Sequence, residues 1–239
     1  MFDACVVLTA HAEGGLLQKS WLSLLRARAA SVAHGLSTQA IVVLDRATPE
    51  TDRVASNLPC MADGDQVIHL DEGDVGEARN RAAAMSSAEW IGVLDGDDYV
   101  SESWITASVT TGRSGLGRPI IHPEWVIGFG GSTMVHRQYG DDDIPFRRGM
   151  LLVANPWNSC SFAHRDIRSQ FPYRRSDVAS MGFGHEDWLW HCDTLAGGCA
   201  HRIAPGTLHC VRLKSEGSMN NDHKRHFAMP APSRFFELP

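Results

Sequence analysis

Basic residues are the minority charge in this 239-residue chain: 22 Lys and Arg stand against 28 Asp and Glu, for a formal net charge of -6. That balance argues against a general nucleic-acid binder, whose domain presents a basic face. No apolar run reaches the roughly 18 residues of a membrane-spanning helix, so no transmembrane segment is expected. The N-terminal MFDACVVLTA lacks a basic segment leading into a long apolar stretch, so no secretory signal is expected either. Cysteine is sparse, at positions 5, 60, 160, 192, 199 and 210, and no two form a C-x-x-C pair. Such scatter suits a reducing compartment, the cytoplasm, with peripheral attachment to a membrane left open. His191, Cys192, Cys199, His201, His209 and Cys210 are zinc-ligand types, but the paired spacing of a zinc finger is absent.

What is present is a core and a rhythm. Hydrophobic residues make up 43% and charged residues 21%, enough for a well-buried domain. Residues 4–10 (ACVVLTA), 40–44 (AIVVL) and 90–94 (WIGVL) are short apolar runs without alternation, and 66–70 (QVIHL) reads as a further strand ending in Asp71. Such runs fit strands of a parallel sheet covered on both faces. Between the first two, residues 16–33 carry apolar positions near helical spacing. Thr48-Pro49-Glu50 reads as a helix start, with proline at an early helical position. Strand alternating with helix predicts an α/β fold with right-handed crossovers.

The second half is read more coarsely. Residues 119–129 read as one or two strands interrupted at Pro123. A helix opens near Glu186 and stops at Gly197-Gly198. Two short strands follow at 200–204 and 207–213, and the tail from 220 reads as peripheral. Asp141, Asp142 and Asp143 have no buried strand to aim them and read as a solvated loop. The expected organisation is a single domain over 1–220, in two halves at 1–111 and 112–220, with a tail at 221–239.

The stretch 73–103 organises the rest. Its strand ends in Asp95-Gly96-Asp97-Asp98, and carboxylates so close repel unless a cation or hydrogen-bond donors stabilise them. An apolar strand that delivers acids to its C-terminal end is where an open α/β sheet places a ligand.

Four motifs in order carry a family resemblance. Gly76-Glu77-Ala78-Arg79-Asn80-Arg81, Leu94-Asp95-Gly96-Asp97-Asp98, Gly184-His185-Glu186-Asp187-Trp188 and Lys214-Ser215-Glu216-Gly217-Ser218-Met219 resemble the inverting family 2 glycosyltransferases of the GT-A fold. The resemblance covers about residues 3 to 220. It implies a Rossmann-like, mostly parallel sheet flanked by helices, with a smaller mixed sheet on the acceptor side. It also implies transfer of a sugar, hexosyl in type, from a nucleotide-diphosphate donor such as a UDP- or GDP-sugar. The acceptor could be a glycan, a lipid-linked molecule or a small molecule.

The resemblance distributes roles as well. Asp187 would be the catalytic base, with Glu186 its neighbour. Asp95 would serve the nucleoside, with Gly96 beside it, and Asp97 the metal, Mn²⁺ or Mg²⁺. Asp98 would orient donor hydroxyls or the surroundings of the metal. His209 is a candidate metal ligand, and Lys214 would neutralise the diphosphate. Arg79 would reach the nucleotide. Thr9, His11, Glu13 and Asp45 fall on the nucleotide pocket, where the T-A-H-A-E and D-R-A-T endings depart from the usual P-T-Y-N and D-D-G-S. Two other classes stay open: a nucleotidyltransferase acting on sugar phosphates, and a catalytically silent GT-A binding module. The first normally carries a basic loop after its first strand, and here no Lys or Arg precedes Lys19.

Overall fold

The computed structural model describes residues 1–114, 117–176, 178–214 and 223–237. Strand β1 (Ala4–Ala10) is buried along its whole length. It pairs in parallel with β2 (Thr38–Asp45) and with β4 (Trp90–Asp95), and β3 (Gln66–Leu70) pairs in parallel with β2. Helices α1 (Gly15–Ala33), α2 (Pro49–Ala55) and α3 (Val75–Met85) make the crossovers. Leu17, Trp21 and Leu24 of α1 cover one face of the sheet, and Ala78 and Ala82 of α3 cover the other. With apolar partners on both sides, β1, β2 and β4 have no wet face, which is why their sequences do not alternate, while β3 at the sheet edge stays partly exposed. Thr48 caps α2 by accepting the Thr51 N–H, with Pro49 first in the helix. That N–H position is unpaired in any helix, so proline loses nothing there.

After β4 the chain turns back as β5 (Tyr99–Val100) and continues through α4 (Trp104–Ser114), β6 (Ile120–Gly130) and β7 (Met134–Arg137). Then come β8 (Ser161–His164), α5 (Arg165–Gln170), α6 (Val178–Met181), α7 (Glu186–Ala196) and β9 (His201–Leu213). Among the described residues all strands join one nine-stranded sheet, ordered β3-β2-β1-β4-β8-β6-β9-β5 with β7 against β6. β8 runs antiparallel to β4 and β6, while β6 and β9 are parallel. The expected acceptor-side sheet is thus a mixed continuation of the parallel half rather than a separate layer.

Three expectations need correction. The break expected at Pro123 is a bulge: β6 continues, with its register against β9 shifting between Pro123 and Trp125. On its other edge Pro123 falls between Ile121, which pairs with β8, and Trp125, where pairing with β7 starts. A missing N–H is tolerated in such a gap. The two short strands expected around Pro205-Gly206 are one strand, β9, and Gly206 supplies the needed φ of +70°. The tail is not peripheral where it is described. Phe235 is buried among Leu151, Trp157, Cys192 and Leu195, and Ser233 donates to Asp193 at 2.6 Å. Among the described residues no helix is long and apolar enough to cross a membrane.

Candidate active site

β4 brings Asp95 out at the C-terminal edge of the sheet, beside Thr9 at the end of β1. Gly96 follows because the backbones meet there. Its N–H donates to the Thr9 carbonyl at 2.8 Å, and an added Cβ would lie 2.8 Å from that same oxygen. The chain then returns as β5, paired with β9 through Tyr99–Cys210 and Val100–His209. The acid knot is therefore clamped between β1, β4 and β9.

Each acid of the knot has its own partners, which is how carboxylates this close coexist. Asp95 accepts from Thr9 Oγ1 at 3.0 Å, Arg79 Nη2 at 2.6 Å and Ser159 Oγ at 3.3 Å. Asp97 lies 2.7 Å from Lys214 Nζ and 3.5 Å from Arg212 Nη1. Asp98 accepts from His209 Nε2 at 2.8 Å and from the Arg212 N–H at 2.7 Å. Burial pushes the Asp95 carboxyl up, but the charge and hydrogen bond of Arg79 outweigh it and hold Asp95 below the usual range. For Asp98 burial wins, against the pull of His209, and its carboxyl is raised.

Arg79 is not where a nucleotide could meet it. It lies on the inward face of α3 with Ala78 and Ala82 and is 2% exposed. Its guanidinium donates to Asp95 at 2.6 Å and to Glu186 at 2.9 Å, and lies 5.5 Å from the Tyr173 ring. The nucleotide contact expected of Arg79 gives way to an internal bridge between two motifs. Asn80, the next residue, clasps the Tyr173 backbone, donating to its carbonyl at 2.8 Å and accepting its N–H at 2.9 Å.

The second motif opens α7. His185 sits just before the helix with left-handed backbone, φ 59° and ψ 57°, a conformation uncommon outside glycine. The turn puts Glu186 and Asp187 in the first helical turn, at the positive end of the dipole. Glu186 is buried, whereas Asp187 is half-buried. Burial, then repulsion from Asp187, pushes Glu186 up to about 7 against the pull of Arg79. Burial also raises Asp187, with the Trp188 N–H opposing. Asp187 Oδ2 accepts from Asn155 Nδ2 at 3.2 Å.

The nucleotide-side residues are mutually engaged. Glu13 accepts the His11 N–H and lies 3.9 Å from Lys214 Nζ. Burial, only partly offset by the His11 N–H, raises its carboxyl, and nearby Asp97 adds to the rise. His11 Nδ1 meets the Asp45 carbonyl at 2.9 Å. The Asp45 carboxylate receives the N–H groups of Glu72, Gly73 and Asp74 at 2.8, 3.2 and 3.2 Å. It therefore ties β2 to the loop before α3 instead of standing open to a base. Lys214 is beside the knot as expected, while 215–219 of that motif lie outside the described residues.

The metal expectation can be tested on the donor set. His209 turns Nε2 to Asp98 at 2.8 Å, and its Nδ1 is buried without a hydrogen-bond partner among the described residues. Among the described residues no three His, Cys, Asp or Glu side chains are placed to hold a cation. Asp97 does offer the hard oxygens that Mg²⁺ or Mn²⁺ take, and such ions often use one or two carboxylates plus substrate phosphates. The residues fit a cation of that kind and not one caged by protein alone.

Thr9, Glu13, Asp95, Gly96, Asp97, Arg79, Glu186 and Lys214 thus converge, with His209 one step behind Asp98. Sequence reasoning missed Arg212, Ser159 and Asn155. The last two lie in the polar and aromatic stretch 155–165, an unusual composition for a segment leading into a buried strand.

Comparison with known proteins agrees with this geometry. Residues 5–111 match the family described as Glycosyl transferase family 2. The fold matches S. aureus TarS 1-349, with TM-score 0.59, 14% identity, and coverage of 90% of this chain and 59% of that one. It matches TarS 1-349 in complex with UDP-GlcNAc with TM-score 0.60, 15% identity, and coverage of 98% and 64%. The chain spans about three-fifths of the length of these structures. No curated protein matches it by sequence.

Proposed function

Taking residues 5–111 as a glycosyl transferase family 2 domain, we propose that this chain moves a sugar from a nucleotide-diphosphate donor to an acceptor hydroxyl with inversion. The observation that carries this reading is the bridge Asp95–Arg79–Glu186. It joins the donor-side acids rigidly to the helix end that carries Asp187. Inversion in one displacement needs a base on the face opposite the leaving group, and a half-buried carboxylate serves.

In this reading Asp187 takes the proton of the acceptor hydroxyl as that oxygen attacks the anomeric carbon. The bond from that carbon to the diphosphate oxygen breaks, and its electron pair leaves on the diphosphate. Lys214 and Arg212, grouped at Asp97, offset the charge that develops there. A divalent cation at Asp97, when bound, supplies the same neutralisation. Thr9 and Arg79 keep Asp95 ionised and oriented toward the nucleoside side. The TarS complexes with UDP and with UDP-GlcNAc make UDP-sugars the first donors to try.

A thermal-shift panel of UDP-GlcNAc, UDP-glucose, UDP-galactose and GDP-mannose, with and without Mn²⁺, tests the donor reading. Selective binding raises the midpoint, because a ligand that binds only the folded state stabilises it. A flat panel contradicts it.

A further inference from the structure

We infer that Asn155 and His191 are positioning residues that hold the carboxylate of Asp187 in a fixed orientation. This rests on the reading of Asp187 as the base.

Asn155 Nδ2 donates to Asp187 Oδ2 at 3.2 Å. On its other side, Asn155 Oδ1 meets His191 Nδ1 at 3.0 Å and the Trp157 N–H at 3.3 Å. An amide oxygen only accepts, so His191 carries its proton on Nδ1. Two donors on that oxygen also forbid the flipped amide, which would turn its oxygen toward a carboxylate. Asn155 is thereby held with its N–H group toward Asp187. His191 lies one helical turn beyond Asp187 on α7, so one helix supplies both the acid and the imidazole that fixes its partner.

His191 is itself immobilised. It has no exposed surface and meets the rings of His122, Trp157 and His201 edge-on, at 5.2, 5.4 and 5.7 Å. Trp157 stacks on His201 at 4.2 Å and on Phe146 at 5.3 Å, and its Nε1 donates to the Tyr139 carbonyl at 2.8 Å. His122 Nε2 pairs with His201 Nδ1 at 2.9 Å, and His201 Nε2 with Thr194 Oγ1 at 3.2 Å. The column thus pins both the Asn155 loop and the His191 ring.

The chemistry of the cluster favours a directed hydrogen bond over plain packing. Burial, then the neighbouring positive groups (His191 and His201 for His122, His201 and Arg168 for His191), pushes both imidazoles well below the ordinary range. His191 Nε2 is buried without a hydrogen-bond partner among the described residues. A buried unpaired nitrogen is a cost that an apolar side chain of similar size would avoid. The Nδ1–H donor to Asn155 is what the imidazole offers in return. A neutral amide passes no proton, so the role is orientation. It occupies one carboxylate oxygen, Oδ2, and fixes the plane of the carboxylate.

The test follows the Asp187 carboxyl carbon by NMR in the free protein, its resonance identified by its loss in Asp187→Asn. A hydrogen bond to the ionised carboxylate favours that form, so Asn155→Ala should raise the titration midpoint by about one pH unit. His191→Leu should follow it. His191→Asn keeps a donor near the Nδ1 position and should stay close to wild type. An unmoved midpoint in Asn155→Ala would overturn the inference. Should His191→Leu fail to fold, Asn155→Ala on its half-buried loop decides alone. The readout needs no substrate, so it fails separately from the base assignment. Hydrolysis of UDP-GlcNAc retained by Asp187→Asn would defeat that assignment whatever the titration showed.

Discussion

Asp95 and Glu186 accept from the two terminal nitrogens of one guanidinium, that of Arg79, at 2.6 and 2.9 Å. One residue of α3 thereby couples the end of β4 to the start of α7.

Removing that guanidinium should be costly. Arg79→Leu leaves Glu186 buried and Asp95 partly buried without their cation, and breaking a buried pair on one side costs about 3 to 5 kcal/mol. Arg79→Lys keeps a charge but cannot fork to two acids and should recover only part of the loss. Urea denaturation measures both; a loss within about 0.5 kcal/mol for Arg79→Leu, the range of neutral surface changes, contradicts the bridge.

Glu186 should make stability depend on pH in the unusual direction for an acid. Its carboxyl, ordinarily near 4.5, is pushed up to about 7 in the fold, so the folded chain holds this proton more tightly than the unfolded one. This group's contribution is present below about 4.5 and is lost as pH rises toward about 7, on the order of 3 kcal/mol in all. Glu186→Gln has no such proton. Melting curves between about pH 5 and 7.5 should fall for wild type relative to the variant; parallel curves contradict the raised value.

His209 and Asp97 should separate cleanly. His209→Gln retains a donor near Nε2 and should keep both the fold and Mn²⁺-dependent stabilisation by UDP-GlcNAc. His209→Leu leaves Asp98 short of a donor and should lose about 1 to 3 kcal/mol. Asp97→Ala should fold normally yet lose the Mn²⁺-dependent part of the shift. Loss of the Mn²⁺ effect in His209→Gln would return His209 to the role of metal ligand.

How much of this was legible in the chain differs by level. β1 was readable to the residue because a strand covered on both faces leaves an unbroken apolar run. The α2 start was readable because Thr48 and Pro49 act locally. The path of β6 through Pro123 was not, since its bulge depends on Pro205 and Gly206 of the neighbouring strand. The acids of the site were legible as residues, but their partners were not. Arg79 finds Glu186 across 107 positions and His209 finds Asp98 across 111, and no local pattern encodes such pairings. Asp45 is instructive in the same way: an acid at a strand end looks open to ligand, yet three backbone N–H groups of the next loop take it.

The central claim is that Asp187 is the base of a sugar transfer, and Asp187→Asn addresses it most directly. The change is nearly isosteric. UDP-GlcNAc binding by calorimetry, and UDP release from the same donor, would be measured on wild type and variant side by side. Binding within a few-fold of wild type, with UDP release down by about a hundredfold or more, is the expected result. Release at the wild-type rate by Asp187→Asn would contradict the claim.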